Sequence, residues 1–518
     1  MKKFMRPISI ALALCCAVSL FGCKDNGEKK GGDGDLPPIP KDVDIWGPYD
    51  ETVKIKLAVP SSDIKWPGAI TGDNSYKDNR WTRAWKEEFN IEADIMWEAM
   101  DSTGAYSTRM NLSIVNGDLP DVIVTSDYSQ FVKLQEAGKL RALDEYMDAY
   151  CYDYAKKNMT YDNSRGLARG KVGDKLYGLP QGGEDSRTRE IYIRADWMKE
   201  LGLAAPKTMD DVIAIGKKFV DSKKAKYALP LYKQMNNGMG DMQAVANSIG
   251  AYPFIWVPDD NGGLQYGSVQ PQMKQTLNIY ADLLKGGYID RAFSSLDSAT
   301  LAAQITGGSI GVLPSDYWII SLPLNTMWND KMQVDWNIYP ITPMSTYKTD
   351  NMKIQGTTSA TRVICVNKDF KHPEALFKII NFATAKLSDP DKAETEIYHS
   401  KDIVVGEKTE KYQFFQMSPL YVFYNDPMTN FNANINVTNA IDKKDKSFLK
   451  SPEDKVQYNN LNQWFLSLEA GALPSSTSWT MYKMFYGPNS AYGIYNDYLK
   501  SGNYIYDALG GYQTETMS

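Results

Sequence analysis

From Val53 to Thr125 the chain reads strand, helix, strand, helix, strand, and this order constrains the fold more tightly than any other feature of the 518 residues. Val53 to Pro60 (VKIKLAVP) alternates and then runs apolar, as a buried strand does. Asn79 to Asn90 (NRWTRAWKEEFN) is an amphipathic helix, Ile91 to Trp97 a second strand and Thr108 to Val115 a second helix. The turn cluster Gly117 to Asp121 then feeds Val122 to Val124. A β-α-β-α-β opening predicts a mostly parallel sheet with helices on both faces. Ligands of such sheets sit outside the carboxyl ends of the strands. The loops after Pro60, Trp97 and Thr125 are therefore candidate binding loops, and they bring forward Trp66, Asp127 and Tyr128.

The same alternation continues downstream. Lys175 to Pro180 and Glu190 to Asp196 read as strands, with a helix from Asp196 to Leu201 stopped by Gly202. Thr208 is placed to cap a helix whose first turn carries Asp210 and Asp211, at the end that favours negative charge. Pro271 to Lys285 and Thr300 to Thr306 are helices closed by glycine pairs. Ser309 to Leu313 reads as a short strand and His372 to Ala385 as another helix.

The first 22 residues belong to a different problem. Lys2, Lys3 and Arg6 precede Ile8 to Phe21, a 14-residue uncharged stretch too short to span a bilayer and of the length of a signal-peptide core. Leu20-Phe21-Gly22-Cys23 resembles the bacterial lipobox. The reading is a signal peptide over 1–22, a diacylglyceryl group on Cys23, and a flexible tether over 23–50 that reaches roughly 30 Å. The chain is expected outside the cytoplasm and anchored to the membrane by lipid.

Removing that leader leaves 496 residues, more than one hydrophobic core usually serves, so two lobes are expected. Three positive charges leave with it, and the formal net charge moves from −6 to −9, which argues against a nucleic-acid partner. Only Cys151 and Cys365 remain beyond Cys23, so the chain is no disulfide scaffold and offers no cysteine cluster for zinc. No cofactor and no metal are expected. The 33 tyrosines, 12 tryptophans and 17 phenylalanines suit both core packing and stacking against a polar ring.

Six segments, in order, resemble the extracellular solute-binding proteins of carbohydrate ABC importers, the class of the maltodextrin and alginate-oligosaccharide binders. They are Gly117 to Val122, Tyr177 to Pro180, Arg194 to Leu203 followed by Pro206-Lys207-Thr208, Leu283 to Phe293, Ala303 to Val312, and Lys371 to Ala375. The resemblance implies an α/β, two-lobed periplasmic-binding-protein-like fold, each lobe a mostly parallel sheet with helices on both faces and a hinge between them. The N-terminal lobe would comprise 51–181 and 339–400, the C-terminal lobe 182–338 and 401–518. It implies capture of an oligosaccharide in the inter-lobe cleft by a monomer, hinge closure, and delivery to an ABC transporter permease. Two departures stand out. Val220 to Tyr227 carries Lys223, Lys224 and Lys226 where alginate-type relatives place the acidic oxygens of a calcium loop, so no calcium is expected there. Gly511 to Met517 resembles a motif that relatives follow with one or two further helices, so the second lobe is expected to lack them.

The resemblance also places Trp318, in Leu313-Pro314-Ser315-Asp316-Tyr317-Trp318, where sugar-binding relatives stack an aromatic ring on the ligand. A tryptophan face covers the C–H face of a pyranose while a side chain such as Asp316 takes hydroxyls. Tyr232 and Gln234 occupy a stretch where relatives contact ligand, Trp256 reads as packing, and Arg187, beside the lobe crossing, pairs with a carboxylate if the ligand is a uronate and is otherwise a solvated arginine. Catalysis has less to stand on. Gly307-Gly308-Ser309-Ile310-Gly311 fits G-x-S-x-G, but helix precedes serine and strand follows, the reverse of a nucleophile elbow. His372 and His399 are the only histidines. No catalytic residue is assigned. A non-sugar ligand such as a peptide or polyol, or a surface polysaccharide hydrolase or lyase, are the alternatives.

Overall fold

The computed structural model describes residues 36–161, 166–181, 187–235, 238–347, 352–356, 362–406 and 408–508. The signal peptide, Cys23, the first part of the tether and the Gly511 to Met517 motif lie outside the described residues. Contacts divide the chain into Met1–Pro38 and Ile39–Ser518, and the second unit carries the fold.

Eight strands build its two main sheets: β1 (Val53–Ser61), β2 (Ile91–Met100), β3 (Val122–Thr125), β4 (Gly178–Pro180), β5 (Glu190–Arg194), β6 (Val312–Ser315), β7 (Trp336–Tyr339) and β8 (Val363–Val366). The first lobe holds a five-stranded sheet in the order β2-β1-β3-β8-β4. β1 runs parallel to β2 and β3, and β8 runs antiparallel to β3 and β4. The first of its helices, Arg80–Phe89, shows how the sequence forms it. Asn79 and Thr82 make a reciprocal capping box, Trp81, Trp85 and Phe89 recur every fourth residue and are all buried, and Asn90 ends the helix in the left-handed region at φ 56°.

The two-lobed α/β fold is the one the sequence predicts. Pairing inside the second lobe differs from a mostly parallel sheet: β5 lies in the middle of the order β6-β5-β7 and is antiparallel to both neighbours. The physical reason is the direction of entry. The chain leaves the first lobe at the carboxyl end of β4, and β5 starts at the edge of the second lobe that receives it. β6 and β7 run back toward that edge. Thr208 caps Met209–Asp221 with a capping box to Asp211, and Pro271–Lys285 begins on its proline, both as expected.

Two boundaries move. Ile341, Met344 and Ile354 pack in the second-lobe core, although they fall within 339–400. Tyr412, Phe414, Met417, Leu420, Val422 and Tyr424, within 401–518, pack in the first-lobe core beside Trp81 and Phe382. The chain thus returns to the first lobe at β8 and leaves it again after Tyr424. The tether also ends earlier than 50. Lys378, buried in the helix Glu374–Leu387, gives hydrogen bonds to the carbonyls of Asp44 and Gly47 at 2.8 and 2.7 Å. Trp46 meets Tyr152 edge-on, and the Tyr49 hydroxyl donates to Glu374. A polar composition concealed two aromatic anchors.

Candidate functional site at the strand ends of the two sheets

Carboxyl ends of β1, β2 and β3 and the amino end of β8 share one edge of the first sheet, because β8 is antiparallel to β3. At this edge lies a cavity of about 290 Å³ lined by Ser61, Asp63, Asp101, Arg362, Gln416 and Tyr421, among others. Arg362 forms an ion pair with Asp101, both partly exposed. Burial raises the Tyr421 hydroxyl to about 12, with Arg362 pulling the other way. The corresponding edge of the second sheet pairs Ser315, the last residue of β6, with Glu190, the first of β5. The two edges are joined by the chain itself. Gln181 donates its N–H to the Arg362 carbonyl at 2.8 Å, the Tyr424 hydroxyl donates to the Pro180 carbonyl at 2.7 Å, and Tyr495 donates to the Thr188 carbonyl at 2.8 Å.

The second edge is built on buried charge. Arg189 Nε donates to Asp241 Oδ2 at 2.6 Å, and its Nη1 lies 3.5 Å from Asp316 Oδ2. Burial opposes the Arg189 charge, but Asp241 and Asp316 outweigh it and hold the guanidinium above its usual range. Burial lifts the Asp241 pKa, with Arg189 pulling it down. Glu190 is fully buried and its pKa is raised well above the ordinary value, first by desolvation and then by Asp316. Tyr192 donates to its Oε2, while Oε1 has no partner among the described residues. A neutral carboxyl here supplies a donor as well as an acceptor.

Several sequence candidates meet at this network. Asp316 is part of it, and the Trp318 N–H donates to Asp316 Oδ1 at 3.3 Å. The Trp318 ring is 54% exposed and lies 4.9 Å from the buried Tyr317 ring, tilted by 30°. Tyr232 is buried within the field of Asp241 and Arg189, and its hydroxyl donates to the exposed Gln234 at 3.2 Å. Arg187 is half-buried two residues before Arg189.

The first-lobe candidates have other duties. Asp127 caps the helix Tyr128–Glu136, accepting from the Ser129 N–H at 2.9 Å, and Tyr128 is a core ring 5.5 Å from Phe131. Trp66 is half-buried edge-on to Tyr76 at 5.1 Å, and Tyr76 accepts from the Ser62 N–H. These three support the edge rather than line its cavity. Trp256 packs on Tyr266 at 5.6 Å. Sequence reasoning missed Arg189, Glu190 and Asp241, and Arg362 with Asp101. The available signal was an arginine and an acid, Arg189 and Glu190, at the start of a strand whose interior, Ile191 to Ile193, is apolar. In the Val220–Tyr227 stretch, Lys224 forms an ion pair with Glu200 and the Ser222 hydroxyl donates to the Lys218 carbonyl at 2.7 Å. Ser309 follows the helix Ser298–Thr306 and precedes β6, so it is not on an elbow. His372 contacts Glu374 in the first lobe.

Two sheets, each with polar residues at its strand ends and joined by repeated chain crossings, define a two-lobed α/β fold. The family model for bacterial extracellular solute-binding proteins matches residues 71–386, more than half of the sequence, and the chain belongs to that family. Lipoprotein LipO of Bacillus subtilis (strain 168) is 27% identical over 227 residues, covering 40% of this chain and 41% of its own. The polygalacturonan/rhamnogalacturonan-binding protein YtcQ of the same organism is 23% identical over 321 residues, covering 59% and 56%. The matches thus span about half the length of these curated relatives. Among solved structures, the alginate-binding protein AlgQ2 without calcium ion superposes with a TM-score of 0.53 at 14% identity, over 90% of this chain and 97% of that one. An extracellular solute-binding protein from Bifidobacterium longum subsp. infantis gives 0.53 at 14% identity, over 87% and 99%. These likenesses establish the fold.

Proposed function

We propose that this chain is a lipid-anchored, extracytoplasmic receptor that captures an oligosaccharide between its lobes and delivers it, as a monomer, to the permease of an ABC importer. The observation that carries the reading is the Trp318 ring, exposed at the strand end beside Asp316 and the Arg189 network. An indole face desolvates the C–H face of a pyranose, and the polar groups next to it take hydroxyls. That a relative, YtcQ, binds polygalacturonan and rhamnogalacturonan supports a sugar as ligand. Ligand contacts with both edges favour the closed arrangement over the open one, and the permease reads that difference. No bond is made or broken in this scheme.

Thermal-shift titration of the mature protein against oligogalacturonides, fructo-oligosaccharides and maltodextrins tests the reading. A midpoint that rises with one class, and rises far less in Trp318→Ala, is the expected result, since ligand that binds the native state alone stabilises it. No shift with any of these glycans, or product formation during incubation, would overturn it. Cys23→Ser should move the protein from the membrane fraction to the medium.

A further inference from the structure

A second groove lies on the second lobe and follows β7 from Asp335 to Tyr339, with a lining that includes neither Asp316, Trp318 nor Arg189. It has a volume of about 970 Å³, and its walls include Trp328, Trp464 and Tyr482 together with Asp335, Lys483 and Asn489. Asp335 precedes Trp336, which pairs with Arg194 at the carboxyl end of β5. Glu190 and Ser315 mark the opposite end of the same sheet. The groove therefore reaches the far end of the lobe.

We propose that this groove is a separate glycan-binding site, which holds a stretch of polysaccharide outside the cleft. Its aromatic wall is pre-built. Trp464 and Tyr482 stack at 4.5 Å and 12°, and Trp328 lies 5.7 Å from Trp464. Trp328 rests on the fully buried Trp479 at 5.9 Å and is fixed by its Nε1 donating to the Pro474 carbonyl at 2.8 Å. Rings held this way lose little freedom when a pyranose lies on them. Polar groups sit beside the rings. Asp335 Oδ1 accepts from Trp479 Nε1 at 2.9 Å and meets Lys483 Nζ at 2.8 Å, which leaves Oδ2 as an acceptor for sugar hydroxyls. Tyr482 and Lys483 open a π-helical turn, Tyr482–Tyr486, after the helix Ser476–Met481. Such turns recur at functional sites, where the extra residue re-aims side chains. The volume exceeds that of one sugar ring several times, whereas the pairing of aromatic faces with a carboxylate and an ammonium suits hydroxyl-rich rings rather than an apolar peptide.

Affinity electrophoresis of the mature protein through gels containing polygalacturonan, rhamnogalacturonan or soluble starch tests the site. At least one polysaccharide should retard the protein. Trp464→Ala should lose at least tenfold of that retention, and Trp464→Phe should keep most of it. The melting midpoint of each variant is measured alongside, and Asn489→Gly, at an exposed position whose φ of 54° glycine adopts freely, provides a second, fold-neutral reduction. Absence of retardation in all gels, retention unchanged in Trp464→Ala and Asn489→Gly, or retention lost only in Trp318→Ala would overturn the proposal. The last outcome would leave the cleft reading intact, and loss of the oligosaccharide thermal shift with retention preserved would overturn that reading alone.

Discussion

At the strand-end edge of the first lobe the charged pair stands about a quarter in water, whereas at the edge of the second it is sealed. Arg362 and Asp101 have side chains 24% and 29% exposed; those of Arg189 and Asp241 are 5% and 0% exposed. An exposed pair can rearrange around a ligand at little cost, while a buried one holds its neighbours in a single geometry. The edge of the second lobe is therefore rigid, with Asp316 and Trp318 held on the network, and that of the first lobe is adaptable; in the proposed function they are the two halves of the site. The sharpest break of this contrast is Asp241→Ala. It leaves the Arg189 charge buried with only the longer contact to Asp316, and a loss of about 3–5 kcal/mol in unfolding free energy is expected by denaturant titration. A change as small as that of an exposed pair would show the second edge to be as yielding as the first.

Trp318→Ala comes next in size and separates binding from stability. Its ring is mostly in solvent, so the melting midpoint of the free protein should stay nearly constant. Removing a stacking tryptophan should cost about 2 kcal/mol of affinity, roughly thirtyfold in Kd, measured by calorimetric titration with the glycan that gives the largest thermal shift. An affinity left unchanged would remove Trp318 from the half-site.

How the sequence disclosed these two edges differs as much as the edges do. The first sheet was legible because alternation in Val53 to Pro60 and the helix pattern at Trp81, Trp85 and Phe89 report one-sided burial directly. Trp318 and Asp316 were legible through resemblance and through their place after a strand. Arg189, Glu190 and Asp241 were not, because they are 52 residues apart at the extremes and a buried ion pair leaves no periodic trace. Arg362 and Asp101, separated by 261 residues, escaped for the same reason. Asp127 and Tyr128 were placed at the correct strand end, but sequence could not say that one would cap a helix and the other enter the core. The docked Trp46 and Tyr49 were hidden by the polar residues around them.

Glu190 gives a subtler contrast, since no described residue lining the first edge's cavity is a fully buried carboxyl. Its pKa is raised in the folded protein, so above about pH 4.5 the unfolded chain releases a proton that the folded one retains. The contribution of this group to stability is fully present below that pH and is lost progressively as pH rises toward the folded value. Glu190→Gln, which cannot ionise, should flatten the decline in melting midpoint between about pH 5 and pH 8. Arg189, Asp241, Asp316, Tyr192 and Tyr495 surround the site and stay in place in that variant. An identical slope in both proteins would assign the decline to other groups.

The smallest effect is expected where the first edge is most adaptable. Arg362→Ala removes an ion pair that is a quarter exposed on each side, so unfolding free energy should fall by less than about 1 kcal/mol. Tyr421 and Gln416 still line the cavity, and water can hydrate Asp101 once its partner is gone. Affinity should fall by about 1 kcal/mol, roughly fivefold in Kd, the net size of one hydrogen bond to ligand. Its salt dependence should weaken at the same time, because a solvent-accessible guanidinium is the kind of contact that added ions screen. A loss of stability equal to that of Asp241→Ala would erase the distinction between the two edges, and an unchanged Kd with an unchanged salt response would place the ligand on the second lobe alone.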